Sequence, residues 1–441
     1  MSRKPQLVDM IRTVPEVAVR LFCGGRPRPS DDGVRIDFED RSVAVPTEAF
    51  TEGEKVARVL AIRWGNRLLR TIQDVLELRH AAEDVYIEHM FGRGDLPKVL
   101  FVPAGEAASA FYRAMIPTDL MKEGGRVMAD WTARPDVSKI MRYDILWVQL
   151  IVADVLNEIV RRVKENGVKI VYDIDDRLDA IPDENQAKNV YGRPEMQALI
   201  DDMIKLADVV SVTTEPLAAH LRRKYPGKDV RVLPNFVTAN VQPRKQPADP
   251  RFVRILYAGS ATHKRDLAIM APALRRVLRE RAGKVRFTLI GEKLPEALND
   301  CKDYIDLQKP VDFEDYHDEL AAIGADFGIV PLEQNEFNTG KSGLKGLEYA
   351  GAGYPFLASP AAEYPLLHDL GMPFELVPDD GWYNAFNRMI DRTPAERNEL
   401  GAAALRWVME NRCMGKTYAS QWADLACEIV AGKKKLETKA V

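Results

Sequence analysis

The sequence predicts an α/β protein of two doubly wound, Rossmann-like parallel-sheet domains facing a cleft, with an α+β appendage at the amino terminus. Three observations carry this expectation. From Lys98 onward, short β-rich apolar runs alternate with helix-length amphipathic stretches, the pattern of a parallel sheet flanked by helices. The pattern occurs twice. Between its two occurrences, NFVTANVQPRKQPADP (235–250) holds three prolines, mixed charge and no sustained apolar period, as an interdomain linker does.

Residues 1–95 form the appendage: alternation in VRIDFEDRSVAV predicts a hairpin, and an amphipathic pattern over about 52–78 predicts a helix. No chemistry is assigned there. Before Asp31, Arg3, Lys4, Arg12, Arg20, Arg26 and Arg28 outweigh Asp9 and Glu16, which makes either an anion-docking surface or a solvated face. The first domain, 96–240, has strand candidates KVLFVPA, YDILWVQLI, VKIVYDI, DVVSVTT and VRVLPN, with helical periodicity over 152–165 and 194–206. These runs end in Asp, Thr, Pro or Asn, so polar groups gather at strand carboxyl ends, where open α/β sheets bind ligands. The second domain, 241–410, has RILYAG, VRFTLIG, IDLQKP, FGIVPLE and PFLAS, with helices over 266–281, 345–352 and 395–411. A last helix over 417–430 and a charged, frayed tail, GKKKLETKAV, make up 411–441.

Composition narrows the classes. A chain of 441 residues with 46% apolar and 29% charged residues folds into several cores and is not globally disordered. With 62 basic and 66 acidic residues the net charge is −4, giving no global pull toward nucleic acid or anionic lipid. Cys23, Cys301, Cys413 and Cys427 show neither metal-ligand spacing nor disulfide density, which fits a reducing, cytoplasmic setting. No stretch reaches the ~20 apolar residues that span a bilayer, so membrane association is expected to be peripheral at most.

Chemistry concentrates in PLEQNEFNTGKSGLKGLEYAGAGYPFLAS (331–359). A strand delivers the chain to a polar loop that turns into a helix carrying Lys341, Ser342, Lys345 and Glu348 near its start. Amides at a helix start are unpaired and partly positive, so backbone and lysine together can hold a phosphate. Lys341, Lys345 and Glu348 share one helical face, and a carboxylate beside a phosphate site is suited to a hydroxyl donor such as a sugar diol. The same three residues would also serve as ordinary surface ion pairs. A second strand, loop, helix start occurs at GSATHKRD (259–266), which brings Gly259, Ser260, His263, Lys264 and Arg265 to the same end of the sheet. Two such loops can converge on one diphosphate.

These blocks, with VRFTLIG and FN-GKS-LK-LEYAGAGYPFLAS, resemble the nucleotide-sugar domain of GT-B glycosyltransferases related to glycosyltransferase family four. VYDIDD (171–176), AD-VSVTTEPLA (207–218) and VLPN (232–235) are similar to the acceptor half of bacterial and phage members. The resemblance spans about 98–430. It implies a nucleotide-sugar donor, UDP- or GDP-linked, as co-substrate in the second domain, with no tightly bound cofactor and no divalent metal. It also implies that Glu348 bonds the ribose hydroxyls and that Lys264 and Lys341 or Lys345 neutralise the diphosphate. Gly259, Ser260, Asn338 and Ser342 complete the donor set, and the backbone of 309–313 holds the base. The family usually carries a second glutamate eight positions before the ribose-binding one, and here that position is Gly340.

Asp173, Asp175 and Asp176 follow a strand on the first domain's side of the cleft. Carboxylates so close raise one another's pKa, which suits a general base or an acceptor-hydroxyl binder, although Asp176 would also serve as a helix cap. His263 belongs to the diphosphate loop, whereas His317 is expected on a solvated helix. Tyr112 and Arg113 follow the first domain's first strand as acceptor contacts, or as a packing ring and a surface ion pair. The expected function is retaining transfer of a sugar to the hydroxyl of a surface glycan or lipid-linked saccharide. A phage-type enzyme acting on modified bases in DNA, a GT-B epimerase and a non-catalytic sugar-nucleotide binder are the alternatives.

Overall fold

The computed structural model describes residues 26–30, 33–37 and 42–46, and residues 96–439 except 106–107, 134, 136, 239–243, 246–248, 250, 260–262, 312 and 415. The helix expected over 52–78, the side chains of the basic amino-terminal stretch and Ser260 lie outside the described residues. The chain divides into two units, Met1–Leu96 and Pro97–Val441. In the first, β1 (Arg26–Ser30), β2 (Gly33–Asp37) and β3 (Ser42–Pro46) form an antiparallel sheet in the order β1-β2-β3. The alternating run is the β2–β3 hairpin, with Val34 opposite Val45.

The second unit contains two six-stranded sheets, all parallel. One is built from β4 (Lys98–Val102), β5 (Met128–Trp131), β6 (Ile145–Gln149), β7 (Lys169–Ile174), β8 (Val209–Val212) and β9 (Asp229–Val232), in the order β5-β4-β6-β7-β8-β9. After the short β10 (Val237–Thr238), the other uses β11 (Val253–Ala258), β12 (Val285–Ile290), β13 (Ile305–Gln308), β14 (Phe327–Val330), β15 (Phe356–Ala358) and β16 (Glu375–Leu376). Its order is β13-β12-β11-β14-β15-β16. The strand order of each sheet reverses once, between β4 and β6 and between β11 and β14, and a crevice opens at the carboxyl ends of the strands at such a reversal. All ten strand candidates form strands. β5 and β16 were not among them, because MADW has no β-branched residue and EL is only two residues long.

Both faces of the second sheet are covered. Ile255 and Tyr257 of β11 point into one apolar cluster with Leu267 and Leu274, and Leu256 and Ala258 point into another with Leu347 and Tyr349. That is the period-two alternation of a strand buried on both sides. Two helices begin at side-chain caps that stop them fraying. Thr393 and Glu396 form a reciprocal cap ahead of Pro394 at the head of helix Pro394–Asn411. Thr214 accepts from the Leu217 amide at the head of helix Glu215–Lys224, whose last turn carries Arg222, Arg223 and Lys224 beside the exposed carbonyls. Two glycines set close approaches: a Cβ on Gly401 would lie 2.1 Å from the Gly353 oxygen, and one on Gly291 (φ +74°) 2.1 Å from the Gly259 oxygen. The first seats helix Pro394–Asn411 against the turn after Leu344–Gly351, and the second brings the β11 and β12 loops together.

The carboxyl-terminal helix runs from Lys416 to Lys439, further into the charged tail than expected. It returns to the first sheet. Trp422 packs with its ring centroid 5.0 Å from Trp147 and 6.1 Å from Phe101, inside a cluster that includes Val99, Ala129 and Leu233. The chain therefore crosses between the domains twice, and the crossings pair as parallel strands, β10 with β17 (Cys413–Met414). Among the described residues no helix is long and apolar enough to cross a membrane. Replacing Trp422 with alanine is expected to lower the unfolding free energy by about 3–5 kcal/mol, read as a lower midpoint in urea denaturation.

Candidate functional site

The crevice between β11 and β14 opens into a cavity of about 550 Å³, within the range of small-molecule sites. Its wall comes from both domains: Asp175, Asp176 and Asn235 from the first, Gly259, His263, Pro310, Val311, Lys341, Ser342, Lys345 and Glu348 from the second. An adjoining cavity of about 630 Å³ shares His263 and Lys341 and carries Lys264, Glu292 and Asn338. The expected donor residues thus divide between two connected spaces. Gly259, His263, Lys341, Ser342, Lys345 and Glu348 line the first, while Lys264, which is exposed, and Asn338 belong to the second.

Glu348, on helix Leu344–Gly351, is buried and receives two phenol hydroxyls: Tyr112 donates to Oε1 at 2.8 Å and Tyr316 to Oε2 at 3.2 Å. Burial pushes its carboxyl up to about 7, against the lowering effect of the Tyr112 bond and of Lys345. One helical turn earlier, the Lys345 ammonium is enclosed with no hydrogen-bond partner, 4.2 Å from the Tyr257 ring centroid. Burial pulls it down to about 8 while Glu348 and Asp266 favour its charge. A buried ammonium without a hydrogen bond is costly. An entering anion would remove that cost.

His263 sits between β11 and helix Lys264–Glu280, its Nδ1 2.7 Å from Asp266 Oδ2. Burial and the nearby Lys345 lower its pKa, so the neutral ring donates from Nδ1 to the carboxylate. Asp266 is held in turn by the Glu333 amide at 2.8 Å and by Asn338 Nδ2 at 3.1 Å, so Asn338 acts within the second domain's own scaffold. Lys341 reaches across the cleft to Asp176 at 3.3 Å and lies 4.5 Å over the Phe337 ring. Ser342 Oγ accepts from Asn235 Nδ2 at 2.9 Å. At the helix start, the Gly343 amide is taken by Glu363 at 2.9 Å and the Gly346 amide by Tyr364 at 3.1 Å. Part of the expected backbone anion cradle is therefore already occupied, which leaves positive charge to the lysines. Gly340 is an interdomain contact: its carbonyl accepts from Thr214 at 2.8 Å, and a Cβ would lie 3.3 Å from Arg177 Cβ. A glutamate there would crowd the first domain.

The three aspartates take three different environments. Asp173 is fully buried in a two-pronged pair with Arg113, at 2.9 and 2.6 Å, and also accepts from Ser211. Asp176 is the partner of Lys341. Asp175 lines the cavity with Oδ1 enclosed and without a hydrogen bond, and burial together with Asp176 and Asp173 raises it to about 7. Arg113 also donates to the Leu233 carbonyl at 2.5 Å and to Asn235 Oδ1 at 3.1 Å. Tyr112 and Arg113 occupy a π-helical turn, Phe111–Met115, a backbone feature frequent at functional sites. Their side chains go separate ways, Tyr112 to Glu348 and Arg113 to Asp173.

Sequence reasoning missed several of these partners. His317 is half-buried against the cleft, its Nε2 3.0 Å from Tyr112 Oη, and not on a solvated helix face. Tyr316 and Glu363 had no motif to mark them, because their partners lie tens of residues away, and Asp266 and Asn235 stood in GSATHKRD and VLPN without a role being assigned to them. The nearest signal was FEDYHDEL, where Tyr316 and His317 interrupt an otherwise acidic helix.

No family model and no curated protein matches this sequence. Solved structures do match in fold. A sucrose-phosphate synthase from Thermosynechococcus elongatus superposes with TM-score 0.57 at 15% identity, over 76% of this chain and 100% of that one. Anabaena HepE in complex with UDP gives 0.54 at 12%, over 75% and 100%, and HepE with UDP and glucose gives 0.51 at 14%, over 75% and 99%. The fold is thus the two-domain Rossmann-like architecture that the sequence predicts.

The raised Glu348 carboxyl has a thermodynamic consequence. The folded protein binds this proton more tightly than the unfolded chain, whose value is near 4.5, so the penalty is absent below that pH and complete above about 7. Glu348→Gln removes it. The stability of this variant relative to the parent is expected to be greater at pH 8 than at pH 5 by about 2–3 kcal/mol, measured by urea denaturation at the two pH values.

Proposed function

We propose that this protein is a glycosyltransferase that moves a sugar from a nucleoside-diphosphate sugar, UDP-linked, to an acceptor hydroxyl. One observation carries the reading: a buried ammonium without a hydrogen bond, Lys345, one turn from a buried carboxylate occupied by hydroxyl donors, Glu348, at the reversal point of the second sheet. That pair suits a ribose diol beside a pyrophosphate. The fold shared with HepE, whose structures hold UDP and glucose, supports the same class of donor. The acceptor that the resemblance implies is a surface glycan or lipid-linked saccharide, entering from the first domain.

As the bond from the anomeric carbon to the phosphate oxygen breaks, negative charge grows on the leaving diphosphate. Lys345 and Lys341 stabilise it, and in an enclosed cavity such preorganised charge is worth more than in water. The two facing domains exclude the water that would otherwise hydrolyse the donor. The resemblance implies retention of configuration, with the leaving phosphate taking the acceptor proton. Asp175 favours a second course. A cavity carboxylate raised to about 7 is matched to removing a proton near neutral pH, which would accompany inversion.

Calorimetry is expected to give heat with UDP, and Lys345→Met to weaken that affinity at least tenfold; no binding of UDP or GDP by intact protein would end the reading. Turnover of the UDP-sugar should fall at least a hundredfold in Glu348→Ala. Proton NMR of the product's anomeric centre separates the two courses: inversion would go with a loss of at least a hundredfold in Asp175→Asn, retention with a loss below tenfold.

A further inference from the structure

We propose that Tyr112 is a built-in occupant of a ligand-hydroxyl position on Glu348, released onto His317 when a nucleoside enters. The inference rests on the donor reading above and adds a determinant of affinity contributed by the opposite domain. Both oxygens of Glu348 are taken by protein hydroxyls, Oε1 by Tyr112 at 2.8 Å and Oε2 by Tyr316 at 3.2 Å. A diol needs the same two positions. Tyr316 belongs to the second domain, as Glu348 does, but Tyr112 arrives from the first, on the π-helical turn Phe111–Met115. Its hydroxyl oxygen is also 3.0 Å from His317 Nε2.

That geometry provides an exchange rather than a simple loss. When a ligand hydroxyl takes Oε1, the phenol turns its one proton from Glu348 to His317 Nε2, the neutral ring carrying its own proton on Nδ1, so the phenol donor is not left unpaired. The competition lowers apparent affinity by the fraction of molecules in which Tyr112 holds Glu348. Removing the phenol hydroxyl leaves Oε1 unpaired in the free protein, and the ligand alone then satisfies it. Tyr112→Phe should therefore bind nucleotide more tightly, the opposite of what a lost ligand contact produces. Loss of His317 should weaken binding where Tyr112 is present and change nothing where it is absent.

The test is calorimetry at pH 8 with UDP and with 2′,3′-dideoxyuridine diphosphate, using the full chain and the variants Tyr112→Phe, His317→Leu and the double variant. The expected result is at least a fivefold gain in UDP affinity for Tyr112→Phe and no gain with the dideoxy ligand. His317→Leu should lower UDP affinity in the parent background and have no effect in the double variant. Equal or weaker UDP binding by Tyr112→Phe, or an equal gain with both ligands, overturns the proposal while leaving the donor reading intact. Absence of UDP and GDP binding by the parent overturns both. Should Tyr112→Phe fail to fold, unchanged UDP binding by His317→Leu is enough to reject the exchange.

Discussion

The architecture of the cleft depends on one buried ion pair, Arg113 with Asp173. Arg113 distributes its donors among Asp173, the Leu233 carbonyl and Asn235, and its guanidinium lies 4.8 Å from the Trp422 ring centroid. Four parts of the chain meet there: the π-helical turn after β4, the end of β7, the start of the linker and the returning carboxyl-terminal helix. A buried pair of this kind adds little net stability against an apolar replacement, but leaving either charge alone is costly. Its value is geometric. It fixes the turn from which Tyr112 reaches Glu348, and the strand end from which Asp175 faces the cavity.

Around that anchor, the cavity combines charges that tune one another. The Lys345 ammonium and Glu348 are both enclosed, each favours the other's charged form, and burial still prevails in both, leaving an ammonium near 8 and a carboxyl near 7. The aspartates at the end of β7 and just after it separate in the same manner. Two are committed to cations, and the third is left in the cavity with its ionisation disfavoured. Groups with such divided environments are what a site needs if one residue is to hold charge and another is to move a proton. The domains meet through Lys341–Asp176, Tyr112–Glu348, Asn235–Ser342 and Thr214–Gly340, so the cavity is defined by contacts that either domain alone lacks.

Much of the fold was legible, because burial on both faces of a parallel sheet writes continuous apolar runs into the sequence and amphipathic periodicity marks the helices between them. The ten strand candidates and helix Pro194–Leu206 follow from those local patterns. Met128–Trp131 does not, since MADW has no β-branched residue and its pairing comes from its neighbour β4 and not from its own composition. In the site, the GKSGLKGLEYAGAG block announced Lys345 and Glu348 by helical spacing; Lys341 and Ser342 were expected on the same helix, but it begins at Leu344 and both precede it in the loop. The partners that give those residues their chemistry come from residue 112, residue 176 and residues 316–317, and no local spacing relates them.

Local periodicity and the proline-rich linker thus determined the class of fold with its two Rossmann-like domains and the loops that carry cations and carboxylates, because side-chain alternation acts over a few residues. Tertiary structure decided which carboxylate is paired and which is left with a raised pKa, and which amides of the 344–351 helix start are already taken. It also placed Tyr112 opposite Glu348 and returned the last helix to the first sheet. Those outcomes depend on desolvation and on distances between groups far apart in the chain, and both are set only when the two sheets face each other.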